Sequence, residues 1–211
     1  MPLVVDRYPL GPYQANCYVV RKTVGAAEAV LVDPGAQGAE LRLELARLGT
    51  RCGAILVTHT DVDHIGAVAE LAGGTGAEVW CPADEADVLR DPSSAPRSGG
   101  VPAWEPEHLV AGGDSVDAAG IAFEVVSVPG HSSGHVAYYA DGCLFSGDVL
   151  FAGSVGRTDL PGGDWDTLLD SIRTLIDRFP PDTVVYPGHG GETTLAREQQ
   201  LNPFLAELRT P

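Results

Sequence analysis

The nine residues from 58 to 66, Thr-His-Thr-Asp-Val-Asp-His-Ile-Gly, follow directly on the apolar run Gly53-Ala54-Ile55-Leu56-Val57. Two histidines and two aspartates fall within six positions, a density of metal-ligand types found nowhere else in the chain. A buried strand that runs into a sharp turn fixes where the turn begins, so it can aim several side chains at one point. The stretch therefore asks for a strand whose C-terminal end carries a metal site. The competing reading is a polar loop that merely contains histidine.

Around this stretch the chain reads as two successive sets of strands and helices. Residues 3–5, 16–20 and 29–32 are short β-rich runs separated by Gly and Pro. Residues 36–48 place Leu41, Leu45 and Leu48 at helical spacing before a Gly49 stop. After the strand at 54–57, helices are expected at 65–72 and 83–90, with a strand at 77–80 between them. Residues 91–100, Asp-Pro-Ser-Ser-Ala-Pro-Arg-Ser-Gly-Gly, read as a loop. A second strand block follows at 121–128, 135–140 and 143–145, the last two joined by an Asp141-Gly142 hairpin signal. Residues 165–179 form an amphipathic helix, 183–186 a strand, and 193–208 a closing helix interrupted at Pro203. This order predicts two packed sheets with helices outside, a layered α/β arrangement in one domain spanning residues 1–211.

Composition narrows the function. Thirteen Lys and Arg against 29 Asp and Glu give a formal charge of −16, which disfavours nucleic acid and anionic membrane surfaces as partners. Cys17, Cys52, Cys81 and Cys143 lie far apart without a C-x-x-C pair, as expected for buried thiols in a reducing cytoplasm. The N-terminus has neither the basic start nor the apolar core of a signal peptide, and no run approaches a membrane span, so a cytoplasmic location is expected.

Five of the six histidines sit in loops after strands: His59 and His64, His131 and His135, and His189. Asp148 follows the strand at 143–145 in a fourth loop of the same kind. Imidazole and carboxylate together suit zinc, iron or manganese, and four such loops could hold two ions.

These loops, with Asn16-Cys17-Tyr18, Leu31-Val32-Asp33-Pro34-Gly35, the heptapeptide from Pro129 to His135, Ser146-Gly147-Asp148, the octapeptide from Gly156 to Gly163 and Pro187-Gly188-His189-Gly190, resemble the metallo-β-lactamase superfamily nearly end to end. The narrower resemblance is to its short glyoxalase II-like hydrolases. It implies a four-layer αββα sandwich with the site at one edge of the sheets. It further implies one metal held by His59, the residue at 61 and His131, another by Asp63, His64 and His189, and Asp148 bridging them. A metal-activated water is then the nucleophile, Asp63 or Asp148 the proton shuttle, and a small thioester of the hydroxyacylglutathione type the substrate. Zinc stands first, with iron or manganese as alternatives.

One position departs from the pattern: the family usually has His where this chain has Asp61. An Asp oxygen lies as many bonds from Cα as the imidazole Nδ1, so it can still reach a metal. Its charge shifts preference toward a harder ion such as manganese or iron. The alternative is a weak first site and a single ion at Asp63, His64, His189 and Asp148. Rival functions are an iron-dependent persulfide dioxygenase, a nuclease disfavoured by the acidic charge, and a non-catalytic binding or sensing protein with an impaired first site.

Other residues are assigned more simply. His135 is expected to hold a structural hydrogen bond and His108 to be a surface or loop residue. Asp33 either orients the ligand loop or serves the turn before Pro34. Arg157 and Asp159 either touch substrate or pin their own loop, and Tyr186, Trp104 and Phe151 are read as packing residues.

Overall fold

The structure, a computed structural model, describes residues 2–95 and 100–209. A first sheet runs in spatial order β1 (Val4–Leu10), β2 (Ala15–Arg21), β3 (Glu28–Val32), β4 (Arg51–Leu56), β5 (Glu78–Pro82) and β6 (His108–Val110). β1 to β3 are antiparallel neighbours, and β3 to β6 are parallel. The connections between the parallel strands carry α1 (Gly38–Leu48), the single turn α2 (Val62–Ile65), α3 (Val68–Thr75) and α4 (Ala86–Arg90). The second sheet is built from β7 (Ser115–Ala118), β8 (Ile121–Ser127), β9 (Val136–Ala140) and β10 (Cys143–Gly147). A small hairpin of β11 (Leu150–Phe151) and β12 (Ser154–Val155) follows, then α5 (Trp165–Arg178). β13 (Val184–Pro187), parallel to β10, and β14 (Thr193–Thr194) complete that sheet, and α6 (Leu195–Leu201) follows.

The layering follows from strands buried on both faces. Every residue of β2 is buried, and because successive side chains leave a strand on opposite sides, they divide between two cores. Cys17 and Val19 face Leu41, Leu45, Leu71 and Leu89 of the outer helices. Tyr18 and Val20 face Phe123, Val125, Tyr138 and Phe145 of the second sheet. That sheet repeats the device: Val126, Ala137, Leu144 and Val185 turn outward onto Leu168, Leu169, Ile172 and Leu175 of α5 and Leu195 of α6. The result is the expected order of helices, sheet, sheet, helices.

At one edge the two sheets are joined by polar bonds where the layers would otherwise leave backbone groups unpaired. The Tyr138 hydroxyl donates to the Val57 carbonyl at 3.0 Å, and the Val136 N–H donates to the Thr58 carbonyl at 3.0 Å. Both bonds fall at the end of β4, where the histidine-rich stretch begins.

Three expectations are corrected. The helix expected at 65–72 is two segments, α2 and α3, because the chain is pinned between them. Ala67 N–H donates to Pro34 O at 2.9 Å, and a Cβ on Gly66 would meet Gly35 O at 2.2 Å. Asp63 and His64 consequently lie within a helical turn. Residues 108–110 and 115–118, to which no element is assigned from the sequence, supply β6 and β7. His108, expected on the surface or in a loop, is surface-exposed but lies on β6, stacked on Trp80 and 3.1 Å from Glu78. The closing helix starts two residues later than expected, because 193–194 form β14; its interruption at Pro203 is as expected, α6 ending at Leu201 and a 3₁₀ segment starting at Pro203. Of the loop expected at 91–100, residues 92–94 form a 3₁₀ turn capped by Asp91, and 96–99 lie outside the described residues.

Truncating Phe123, fully buried between the sheets, to Ala is expected to cost about 3–5 kcal/mol. Leu43→Ala, at a position 71% exposed, should stay within about 0.5 kcal/mol of the parent. Urea denaturation of both variants measures the contrast.

Candidate metal centre

The loops at the joined edge bring seven side chains together. His59 and Asp61 come from the turn after β4, Asp63 and His64 from α2, His131 from the loop before β9, Asp148 from the turn after β10, and His189 from the turn after β13. His59, Asp61 and His131 offer ligand atoms within 4.8 Å of one another, as do Asp63, His64 and His189. Asp148 lies between the two groups. Its carboxylate oxygens are 3.3 Å from His64 Nε2, 3.4 Å from His189 Nε2 and 3.7 Å from His131 Nε2.

Asp61 is placed inside the first group rather than turned away from it. Its Oδ2 lies 3.3 Å from His131 Nε2 and 3.9 Å from His59 Nε2. Asp61 thus offers a carboxylate oxygen to the first group.

Hydrogen bonds behind the rings fix which nitrogen faces inward. His131 Nδ1 lies 2.8 Å from the Arg157 carbonyl, which can only accept, so Nδ1 carries the proton. His64 Nδ1 lies 3.0 Å from Asp33 Oδ2 and donates to it. Thr58 Oγ1 gives its single proton to Asp33 Oδ2 at 2.7 Å, so it accepts from His59 Nδ1 at 3.0 Å. In all three rings Nε2 is therefore directed at the centre of the cluster. Asp33 also accepts from Thr58 N at 2.8 Å. Its backbone is left-handed, with φ 51°, a conformation Asp tolerates better than most residues. Of the two roles open to Asp33, orienting the ligand loop is the one its side chain performs.

The position of Asp148 depends on its neighbours. Its backbone N–H donates to His135 Nε2 at 3.1 Å, and the His135 ring stacks on His59 with centroids 4.5 Å apart. His135 is thus a support and contributes no atom to either ligand group. A Cβ on Gly188 would lie 2.0 Å from Asp148 Oδ1 and 2.7 Å from His64 Cε1, so only glycine leaves the carboxylate room. The Gly188-His189 turn is held from the first sheet. Asn16 N–H donates to Gly188 O at 2.7 Å, and the Tyr18 hydroxyl donates to Pro187 O at 2.7 Å. The Asn16 amide donates to Pro187 O at 2.8 Å, with Gly190 O at 2.9 Å beside it.

Glu85, which nothing local in the sequence marks, is a second brace. It is buried, accepts from Thr60 Oγ1 at 2.5 Å through one oxygen, and accepts from Ser132 Oγ at 2.7 Å and Gly134 N at 3.1 Å through the other. One carboxylate so joins the 58–66 turn to the 129–135 loop. Arg157 and Asp159 form a two-bonded pair at 2.8 Å on the surface. Arg157 borders the cavity above the cluster; Asp159 is not among its lining residues. Phe151 sets its ring edge-on to His189, and Tyr186 stacks on Phe145 beneath the site.

The electrostatics of the cluster couple its imidazoles to its carboxylates. Burial disfavours the His64 imidazolium, but Asp148 and Asp33 outweigh it and push the pKa well up. Hydrogen bonds to Asp148 and then Asp63 raise His189 to about 9. Burial opposes ionisation of Asp148, yet His64 and His189 hold it well below the usual carboxylate range, and His189 lowers Asp63 in the same way against burial. Burial drives His59 the other way, well down, with His64 adding to it. His59 Nε2 is buried without a hydrogen-bond partner, while His64 Nε2 and Asp148 Oδ1, also buried, face each other at 3.3 Å. An unpaired buried atom is costly unless something else satisfies it. Inward-facing nitrogens beside carboxylate oxygens, with His59 Nε2 left unpaired among them, fit divalent metal ions.

Comparison with known proteins agrees. Residues 10–189 match the Metallo-beta-lactamase superfamily, and the chain belongs to that superfamily. It is 38% identical over 205 residues to a probable metallo-hydrolase, YqgX, of Bacillus subtilis, covering 94% of this chain and 96% of the relative. It is 33% identical over 208 residues to the hydroxyacylglutathione hydrolase GloC of Haemophilus influenzae, covering 95% and 97%. Among solved structures, the BLEG-1 B3 metallo-beta-lactamase superposes with a TM-score of 0.89 at 40% identity, covering 96% of this chain and all of that one. TTHA1623, crystallised in a di-iron-bound form, superposes at 0.81 with 37% identity, covering 95% and 100%. These relatives support hydrolytic activity and a binuclear metal site.

Metal loading is expected to release protons at neutral pH, because rings with raised pKa must lose a proton to ligate. His189 is protonated below about 9, so apparent affinity should rise from pH 6 toward pH 9. Titration calorimetry in buffers of different ionisation enthalpy counts the protons; a pH-independent affinity without release would contradict the assignment. Gly188→Ala, which displaces Asp148, should lose bound metal while the backbone fold, followed by circular dichroism, survives.

Proposed function

We propose that this chain is a metal-dependent hydrolase of small thioesters, of the hydroxyacylglutathione hydrolase type. The observation that carries the hydrolase reading is the convergence of inward-facing imidazole nitrogens and carboxylates on a cavity of about 460 Å³, open to solvent. That volume is in the range of small-molecule sites. The thioester reading is supported by the near full-length similarity to the Haemophilus enzyme.

His59, Asp61 and His131 would hold one ion, Asp63, His64 and His189 the other, with Asp148 shared. Such ions supply a Lewis acid for the thioester carbonyl and acidify a water near neutral pH. Asp33, Thr58 and the Arg157 carbonyl keep the three imidazoles oriented. Asp63 and Asp148 line the cavity as carboxylates and are placed to take the proton of the attacking water and pass it to the departing thiol. Tyr13, Leu160 and Pro161 line the cavity beside these groups.

Asp61 gives the centre a third carboxylate. Two divalent ions with Asp61, Asp63, Asp148 and one hydroxide sum to zero charge, where a histidine at 61 would leave one positive charge. The centre is therefore biased toward iron or manganese relative to a histidine-bearing one, with zinc still accommodated.

Hydrolysis of acyl-glutathione and other acyl-thiol esters by metal-replete protein tests the substrate class; no turnover of any thioester would remove it. Asp63→Asn is expected to lower kcat by about 10²-fold or more. Metal analysis of chelator-free protein should find two ions per chain, and Asp61→His should raise the zinc-to-manganese ratio after loading from an equimolar mixture. One tightly held ion per chain would overturn the two-metal assignment.

A further inference from the structure

The hairpin of β11 and β12 touches the cluster in three places, yet it is held from a part of the chain that supplies no ligand. It pairs as a separate two-stranded sheet and starts directly after Asp148. At its base the Gly156 N–H donates to Val149 O at 3.2 Å, and a Cβ on Gly156 would lie 1.8 Å from Asp148 O. Its first strand sets Phe151 edge-on to His189. Its second strand leads into Arg157, whose carbonyl accepts from His131 Nδ1 at 2.8 Å. A shift of the hairpin therefore moves contacts of Asp148, His189 and His131 together.

The tip of the hairpin is clamped by α6 and the residue that follows it. Glu198, a buried carboxylate, accepts from the Gly153 N–H and from the Asn202 amide through Oε2, both at 2.8 Å. Through Oε1 it accepts from Thr193 Oγ1 at 2.6 Å. Asn202, also buried, donates to Ser154 O at 2.9 Å, and its Oδ1 accepts from Phe204 N at 3.0 Å. Neither residue lines the cavity over the cluster. A buried acid is tolerable only when its acceptor sites are filled, and one of the donors that fill them here is the backbone of the hairpin.

We infer that Glu198 and Asn202 are positioning residues of the metal centre: they fix the β11–β12 hairpin so that the Arg157 carbonyl meets His131 Nδ1 and keeps His131 Nε2 on the first ligand group. The inference rests on the metal-centre reading above and extends its support to α6. A backbone carbonyl is only as well placed as the segment that carries it. The Arg157 side chain is no anchor, because it pairs on the surface with Asp159 of its own loop. Leu150 and Val155 pack the hairpin into the core beside α5, but apolar packing has no direction. Hydrogen bonds do have direction, and those from Glu198 and Asn202 set where the tip lies. His64 and His59 are oriented from Asp33 and Thr58 instead, so the clamp acts on His131 and leaves those two rings alone.

The test follows exchange of the imidazole N–H groups with water by NMR in metal-free, full-length protein, read as the ratio of His131 to His64 so that global opening cancels. Glu198→Ala, which removes the acceptor of the Gly153 N–H, should raise the ratio about tenfold. Glu198→Gln should behave as the parent: its carbonyl oxygen still accepts from Gly153 and Asn202, and its NH₂ donates to Thr193 Oγ1, which can accept. Asn202→Asp keeps the shape but turns an acceptor toward Ser154 O and Glu198, so it should raise the ratio even where Glu198→Ala fails to fold. Leu195→Ala removes packing from the same helix and no bond from the hairpin, so it should lower the melting temperature and leave the ratio unchanged. In competition with a chelator, Glu198→Ala should weaken metal binding by about 10–100-fold, and Glu198→Gln should restore it. A ratio unmoved by both Glu198→Ala and Asn202→Asp would overturn the inference, as would an equal rise in Leu195→Ala. Metal uptake by the parent protein judges the centre separately: a ratio that responds in a chain taking up no metal keeps the clamp and removes the metal-centre reading.

Discussion

The carboxylate of Asp33 is the interaction on which the centre depends most. It ends β3 in a left-handed backbone conformation and accepts from the Thr58 backbone, the Thr58 hydroxyl and the His64 ring at once. Through Thr58 it also fixes the tautomer of His59. One buried acid thereby orients an imidazole in each of the two ligand groups, from a strand adjacent to the one that carries them. Because a buried charge is stable only when its acceptor sites are filled, the same bonds that organise the centre are those that make Asp33 tolerable in the interior.

A second principle is redundancy of bracing. Each ligand loop is anchored to an element remote in sequence: the 58–66 turn to Glu85, the His131 loop to Glu85 and the Arg157 carbonyl, the His189 turn to Asn16 and Tyr18. Loops alone are the mobile part of a fold, and ligand geometry tolerates little looseness. Here the loops are tied to one another and to the sheet edges, so the inward-facing atoms inherit the rigidity of the strands.

Much of this was legible in the chain itself, for a physical reason. Histidines directly after apolar β-rich runs must lie at strand ends, and strands of one sheet bring such ends together, so His59, His64, His131, Asp148 and His189 could be grouped before any coordinates. The helix expected at 65–72 was misjudged because its break at Gly66 is imposed by a contact with Gly35, which local periodicity does not register. β6 and β7 were invisible because strands of three and four residues amid polar neighbours have too few alternations to show. Glu85 was invisible for a different reason: its partners lie 25 and 47 residues away, and on its own it looks like any acid in a short helix. Asp33 was half visible, since a turn before proline and a support for a ligand predict the same residue.

The hold of Asn16 and Tyr18 on the Pro187 carbonyl spans 171 and 169 residues of chain. The loop carrying His189 therefore takes its position only after the amino-terminal hairpin and the last long strand have met, which places completion of the centre among the most non-local events of folding. Metal bound by all the loops would act as a fastener across the whole chain, favouring the fully assembled state in proportion to the logarithm of metal concentration. In that sense the centre is a checkpoint on assembly as well as a site of chemistry: a chain that has not closed its two ends on each other has no complete place to put the ions.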